Sequence, residues 1–397
     1  MSPDHLDVLP CPADAAALDA LLPPLGAALD GHGPPLALVP EWPADELLAA
    51  LRPDEPVDAP GIAAVVTTSG SSGEPKPVLL PAAALRASAT ATLDHLGGPG
   101  QWLLALPAQY VAGLQVVVRS LVGGTTPVAL DTSGGFTVDG FVAATGKLDA
   151  GTRHYTALVP TQLGRLLAEP AGRDALRGYH AVLLGGSAAP DGLLDRARAA
   201  GVAVTTTYGM SETCGGCVYD GQPLAGVDVE IRDDGRVLLA GPVLAAGYRL
   251  RPDLTAAAFQ HVRGRRVHVT PDLGRHTPDG RLEILGRADH VAVSGGVNVP
   301  LAAVEQTLVG HPAVAAAACA AVADAQWGER VTAVVAPAAG AHPTLAELRA
   351  HVARTSPRAW APRELVYVPA IPQLSSGKTD RLAVQQLLAD ASRERMS

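Results

Sequence analysis

The chain has 397 residues, 48% of them hydrophobic and 17% charged, a balance that argues against disorder and lets a core form without a disulfide or metal staple. Its formal charge of −9 comes from 39 acidic against 30 basic residues with no dense Lys/Arg run, which argues against a nucleic-acid partner but allows small anionic substrates at a local site. Four scattered cysteines, Cys11, Cys214, Cys217 and Cys319, do not make a disulfide framework.

No basic stretch followed by an apolar run opens the chain, so no signal peptide is expected. The most apolar stretch, 314–322, is mostly Ala and stops at Asp324, too short to cross a bilayer. The expectation is a cytoplasmic protein without membrane insertion.

The first sixty residues are rich in Pro and Ala, with helix candidates at 15–29 and 45–51. From residue 62, short apolar, β-branched runs alternate with helical stretches. Strands are predicted at 62–67, 102–106, 127–130, 155–159, 181–184 and 202–206, and helices at 82–95, 114–122, 138–148, 162–168 and 193–199. Such alternation predicts a parallel sheet covered by helices. After Gly221 the strands come closer together, and Asp233-Asp234-Gly235 reads as a hairpin turn between strands 227–232 and 236–239. This small β-rich subdomain reaches about Leu285. Beyond Gly286 follow helix 301–309, strands 314–322 and 331–337, helix 345–354, strand 365–368 and helix 381–389. The connecting stretch 286–296 carries charge and glycine and reads as a hinge. The expected fold class is α/β. A large N-terminal domain, 1–286, has helix-covered sheets and the small β-rich subdomain; a small mobile α+β C-terminal domain spans 287–397.

The strongest local signal is Thr67-Thr68-Ser69-Gly70-Ser71-Ser72-Gly73-Glu74-Pro75-Lys76, placed after an apolar strand and ahead of a helix. Glycines let backbone N–H groups converge on an anion, hydroxyls add donors, and the lysine adds charge. No Gly-Lys-Ser/Thr closes the loop, so it is not a Walker A motif. A Ser/Gly turn can also be merely flexible; the position and the Pro-Lys ending favour a phosphate loop.

This loop resembles the phosphate loop of the adenylate-forming superfamily, which comprises acyl-CoA ligases, peptide-synthetase adenylation domains and luciferases. Further matches follow in that family's order. Gly185-Gly186-Ser187 is similar to its glycine turn beside the adenine, and Tyr208-Gly209-Met210-Ser211-Glu212 to its Tyr-Gly-x-Thr-Glu motif. Thr270-Pro271-Asp272-Leu273-Gly274 resembles its Thr-Gly-Asp motif, and Gly286-Arg287-Ala288-Asp289 its hinge motif. Ser376-Gly377-Lys378 sits where its C-terminal catalytic lysine sits. The segment Leu106-Pro107-Ala108-Gln109-Tyr110-Val111-Ala112-Gly113-Leu114-Gln115, followed by Arg119-Ser120, looks like a stretch of the o-succinylbenzoate–CoA ligases of menaquinone synthesis. The short chain and early glycine loop resemble their compact actinobacterial forms.

The resemblance implies an ATP-dependent ligase that joins a carboxylic acid to AMP and then to CoA, with Mg²⁺ as cofactor. Thr68, Ser69, Gly70, Ser71, Ser72, Gly73 and Lys76 would hold the β- and γ-phosphates. Gly185, Gly186, Ser187, Gly209 and Met210 would border the nucleotide, with Tyr208 stacked on adenine. Asp272 would accept from the ribose hydroxyls, and Arg287 would contact ribose or phosphates. Glu212 would bind Mg²⁺ beside the hydroxyl of Ser211, Lys378 would reach the α-phosphate and acyl oxygen, and Asp289 would be the hinge. Tyr110, Gly113 and Arg119 are the implied substrate residues. Arg119 is the lone charge on an otherwise apolar helix, and its partner is either an internal carboxylate or the free carboxylate of a succinyl side chain.

Four positions depart from the family pattern. Pro77 replaces a usual glycine, Ser211 a threonine, Tyr110 a common histidine and Val297 a glutamate. Cys214-Gly-Gly-Cys217 has the spacing of half a zinc site but lacks a partner pair, so its glycines fit a close backbone approach better. Two alternatives stand beside the o-succinylbenzoate reading: a CoA ligase for another aromatic or short-chain acid, and a non-catalytic binding protein on a degenerate ligase fold. Retained Lys76, Glu212, Asp272 and Lys378 argue against the latter. A homo-oligomer is left open.

Overall fold

A computed structural model describes residues 5–11, 15–41, 43–57, 59–69, 74–190, 192–288, 290–373 and 379–394. The expected phosphate-loop residues Gly70, Ser71, Ser72 and Gly73, the hinge Asp289 and the lysine Lys378 lie outside them.

The largest sheet has seven strands. Val128–Ala129, Gln101–Leu104, His154–Leu158, Ala181–Leu184 and Val204–Met210 run parallel, as the alternation predicts, and Gly215–Tyr219 and Gln222–Pro223 close one side antiparallel. Helices Ala82–His95, Val111–Gly123, Val138–Thr145, Pro160–Ala168, Pro170–Arg177 and Leu193–Ala199 supply the crossovers and covering layers. Leu103, Phe141, Leu163, Leu166 and Val182 form an apolar layer against one part of the sheet. Trp102, Leu114, Val117, Tyr155 and Leu183 belong to the larger core that also takes in the N-terminal helix Ala15–Leu29.

A second sheet orders Asp7–Pro10, Leu36–Val39, Ile62–Ser69, Pro75–Pro81 and Gly247–Tyr248. It corrects the expected strand–loop–helix around the glycine loop. Ile62–Ser69 pairs antiparallel with Pro75–Pro81, Thr68 opposite Lys76 and Ser69 opposite Pro75, so a second strand separates the loop from helix Ala82–His95. Three prolines, Pro75, Pro77 and Pro81, hid that strand. The Pro77 carbonyl accepts from the Arg249 N–H at 2.9 Å, so its donorless nitrogen faces the short strand Gly247–Tyr248 and the hairpin ladder with Ile62–Ser69 stays intact.

The β-rich subdomain is an antiparallel sheet of Asp228–Ile231, Arg236–Ala240, Arg265–His276 and Phe259–Val262, with Leu282–Arg287 added on Arg265–His276. Asp233-Asp234-Gly235 is its predicted turn. Within the stretch 286–296, expected to be a hinge, the residues after His290 are strand and turn: Val291–Ser294 pairs with Val297–Pro300 across Gly295-Gly296, both at positive φ. Two glycines can adopt the turn that matches strand twist, and this hairpin uses both. Val297, one of the departing positions, is an exposed end of that hairpin. The hairpin joins Gly328–Pro337, Val314–Asp324 and Glu364–Tyr367 in a fourth sheet, flanked by Leu301–Val309, Leu345–Thr355 and Arg381–Glu394. Val304, Leu308, Val335 and Leu348 form its own core. The Ala-rich run 314–322 is a strand here, and no helix of the described residues is long and apolar enough to cross a membrane.

One side chain ties the second sheet to the chain before it. The buried guanidinium of Arg249 donates to the carbonyls of Leu51, Arg52, Glu55 and Pro56. Arg249→Met leaves those acceptors unmet and is expected to cost at least about 3 kcal/mol, read as a lowered midpoint in urea unfolding. Arg249→Lys should recover little of it, because a single ammonium cannot serve a four-carbonyl fork.

Candidate active site

Parallel strands end on one edge of a sheet, and ligands of open α/β sheets bind beyond their carboxyl ends. Here that edge gathers three sequence-predicted segments. Tyr110 and Gly113 come after Gln101–Leu104, Gly185-Gly186-Ser187 follows Ala181–Leu184, and Tyr208-Gly209-Met210 forms the end of Val204–Met210. The Tyr-Gly-Met segment lies within the strand rather than after the predicted stop at 206.

Glycine is required at this edge. A Cβ on Gly209 would stand 2.2 Å from the Gly215 carbonyl, and one on Gly185 would stand 2.4 Å from Thr207 Oγ1. Gly186 has φ +85, which other residues rarely adopt. Gly113 lies in the first turn of helix Val111–Gly123, where a Cβ would stand 2.2 Å from the Pro107 carbonyl, so its smallness serves helix–loop packing. Tyr110, exposed, is that helix's N-cap residue. Ser187 and Gly186 are exposed in the loop.

After Met210 the chain turns through the short 3₁₀ segment Ser211–Thr213 and returns as Gly215–Tyr219. Thr213 Oγ1 accepts from the Met210 N–H at 2.9 Å and donates to the Gly215 carbonyl at 2.8 Å, which fixes the turn. Ser211 is buried inside it, and the half-buried Glu212 leaves it. Tyr248 Oη donates to Glu212 Oε1 at 2.7 Å. Burial, then the nearby Glu212 charge, raises the Tyr248 pKa above its ordinary value.

Asp272 and Arg287 arrive from the β-rich sheet, where they are paired across Arg265–His276 and Leu282–Arg287. Cross-strand partners leave the same face, so carboxylate and guanidinium project together. Tyr208 Oη donates to Asp272 Oδ2 at 2.8 Å, joining the two sheets at the site. Burial first, and the Asp272 charge second, push the Tyr208 hydroxyl upward in pKa, so it remains a donor. Lys76 shares a face of its strand with Val78, whose cross-strand partner is Tyr248. The lysine and the Glu212-bonded phenol therefore leave the sheet on the same side.

Arg119 is not brought to this edge. The helix runs back from the edge, and Arg119 lies eight residues beyond Val111, about 12 Å along the axis. It is only 3% exposed, and its visible partners are not the internal carboxylate considered from sequence. Nη2 donates to Tyr219 Oη at 3.3 Å, and the guanidinium lies 5.1 Å from the Trp102 ring centroid. Burial lowers its pKa. Tyr219 Oη also bonds Thr92 Oγ1 at 3.0 Å, and Gln115 Nε2 and Ser88 Oγ donate to the Cys214 carbonyl. Cys214 and Cys217 are buried free thiols, Cys217 pushed up to about 12 by burial. No group of three metal-ligating side chains occurs among the described residues.

Comparison with known proteins bears on the whole chain. The pattern of the AMP-binding enzymes matches residues 13–249, and that of the AMP-binding enzyme C-terminal domain matches 303–378. This chain belongs to the AMP-binding enzyme family. A probable 2-succinylbenzoate–CoA ligase of Mycobacterium tuberculosis is 46% identical over 380 residues, covering 94% of this chain and 96% of its own. A 2-succinylbenzoate–CoA ligase of Geobacillus kaustophilus is 30% identical, covering 92% of this chain and 76% of its own. The fold is shared with o-succinylbenzoate CoA synthetase of Bacillus subtilis, solved with its acyl-adenylate intermediate (TM-score 0.77, 24% identity, 96% of this chain and 88% of that one).

Sequence reasoning missed Tyr248 and the Tyr208–Asp272 bond, because both partners of each pair lie far apart in the chain. Gly209→Ala is expected to destabilise the protein by about 1–3 kcal/mol, since backbone rather than a flexible side chain must give way. It should also lower nucleotide affinity, because Tyr208 and Glu212 flank it; a thermal melt and a titration with ATP read the two effects.

Proposed function

We propose that the protein is an ATP-dependent 2-succinylbenzoate–CoA ligase of menaquinone synthesis, working through an acyl-adenylate. The observation that carries this reading is the 46% identity to the Mycobacterium tuberculosis relative over nearly the full length of both chains. Glu212 and Asp272, each held by a phenol, and Lys76 on the neighbouring strand support it. ATP and CoA are cytoplasmic metabolites, so the reading places the enzyme in the cytoplasm.

In the first step an oxygen of the substrate carboxylate attacks the α-phosphorus and pyrophosphate leaves. Two anions react, so the protein's task is positioning and charge neutralisation. The segment 68–76 holds the β- and γ-phosphates. Asp272, fixed by Tyr208, accepts from the ribose hydroxyls, and Arg287 on the same face contacts ribose or phosphate. The exposed Tyr110 and the Gly113 turn border the acid.

A Mg²⁺ ion fits the donors present. Glu212 offers a carboxylate with Oε1 already oriented by Tyr248, and phosphate and water oxygens would complete the shell of a small hard cation. When bound, it neutralises phosphate charge.

Lys378 meets the charge that builds on the α-phosphate. In the second step the CoA thiol gives up its proton to water as its sulfur attacks the acyl carbonyl, the thioester forms, and AMP leaves with the electron pair of the broken acyl–oxygen bond. The segment 287–397 rotates about Asp289 between steps, withdrawing Lys378.

Pyrophosphate release with ATP, Mg²⁺ and a panel of acids tests the assignment: 2-succinylbenzoate should exceed benzoate, and equal rates would remove it. Half-reactions test the mechanism. Lys378→Ala should slow adenylate formation by about 10²–10³ while leaving thioester formation from supplied acyl-adenylate near the native rate. Equal slowing of both steps would contradict domain alternation.

A further inference from the structure

We propose that Tyr248 is a positioning residue for Glu212, and that residues 245–249 form a strap coupling this carboxylate to the phosphate-binding hairpin. The inference rests on the reading of Glu212 as a metal-holding carboxylate.

The strap touches both elements through successive residues. The Ala245 N–H donates to the Glu212 backbone carbonyl at 2.9 Å, and Tyr248 Oη donates to the side chain of the same residue. On its other side, Ala246 N–H donates to the Leu79 carbonyl at 2.9 Å, Gly247 and Tyr248 pair with Leu79 and Val78, and Arg249 N–H donates to the Pro77 carbonyl. The strand contacted is the one that carries Lys76. A shift of the strap would therefore move Glu212 and the hairpin together.

The strap is itself held. Tyr248 N–H donates to Thr255 Oγ1 at 2.9 Å, and Gly247 lies so close that a Cβ there would stand 2.4 Å from Thr255 Cγ2. The Tyr248 ring packs against Phe259 with centroids 6.1 Å apart, and Arg249 is anchored by four carbonyls. A phenol fixed at its backbone, ring and neighbour cannot follow a swinging glutamate; it selects one orientation. Glu212 has three side-chain torsions to order, and a donor already bonded to Oε1 orders them before a cation arrives, with Oε2 left to receive it.

The experiment measures Mn²⁺ binding by electron paramagnetic resonance in the presence of a non-hydrolysable ATP analogue. Tyr248→Phe removes the hydroxyl and should weaken Mn²⁺ binding about tenfold, the worth of a hydrogen bond to a charged group. It should raise KM for metal–ATP while leaving KM for the acid unchanged. Glu212→Gln tests the underlying reading: native Mn²⁺ affinity in that variant removes Glu212 as a ligand. Weakened binding in Glu212→Gln alongside native binding in Tyr248→Phe overturns the Tyr248 proposal alone. A phenol that acts only through the carboxylate is dispensable once the carboxylate is neutral. The double variant should therefore bind Mn²⁺ no worse than Glu212→Gln, and a further loss overturns the proposal. If the Glu212 charge left without its phenol keeps Tyr248→Phe from folding, the double variant, which neutralises that charge, still permits this comparison.

Discussion

Two backbones meet at Gly209 and Gly215-Gly216 with no room for a side chain between them. That contact fixes the tight return from Val204–Met210 to Gly215–Tyr219, and nearly every feature of the site is measured from it. It forces Cys214 into a left-handed conformation at φ 50, and it holds Tyr208 at the strand end where its hydroxyl reaches Asp272. It also projects Glu212 from a turn tied by Thr213. The glycines between the two cysteines are explained by this approach, with both thiols buried and free.

From that point the site is assembled by pairing between sheets. The Tyr208–Asp272 bond joins the parallel sheet to the β-rich sheet, and the Tyr248–Glu212 bond joins it to the sheet that carries Lys76. Each bond places a half-buried phenol donor on a carboxylate.

Much of this was legible in the sequence where local chemistry decides the outcome. Helices Ala82–His95 and Leu193–Ala199 and strand Ala181–Leu184 fall where periodicity and β-branched runs put them. The glycine turns stand at the carboxyl edge, as strand–helix alternation implies. What was not legible depended on pairing over distance. Pro75–Pro81 has three prolines and reads as loop until its partner Ile62–Ser69 is in place. Residues 286–296 look flexible by composition, yet Gly295-Gly296 is the turn of a hairpin. The lone charge of Arg119 announced that a partner was needed, but a phenol and an indole gave no sign in the sequence of meeting it.

The buried polar seam around Arg119 has a consequence for how the chain can vary. Ser88, Thr92, Gln115, Arg119 and Tyr219 come from two helices and a strand, and their bonds interlock in an apolar interior. Sliding either helix by one turn would break both of the bonds it makes to Cys214 and Tyr219, so the seam acts as a key that favours a single helix–sheet alignment. Single replacements there break a bond that its neighbours cannot remake. Tolerated change at these positions must therefore come in concert, with helix and strand partners exchanged together.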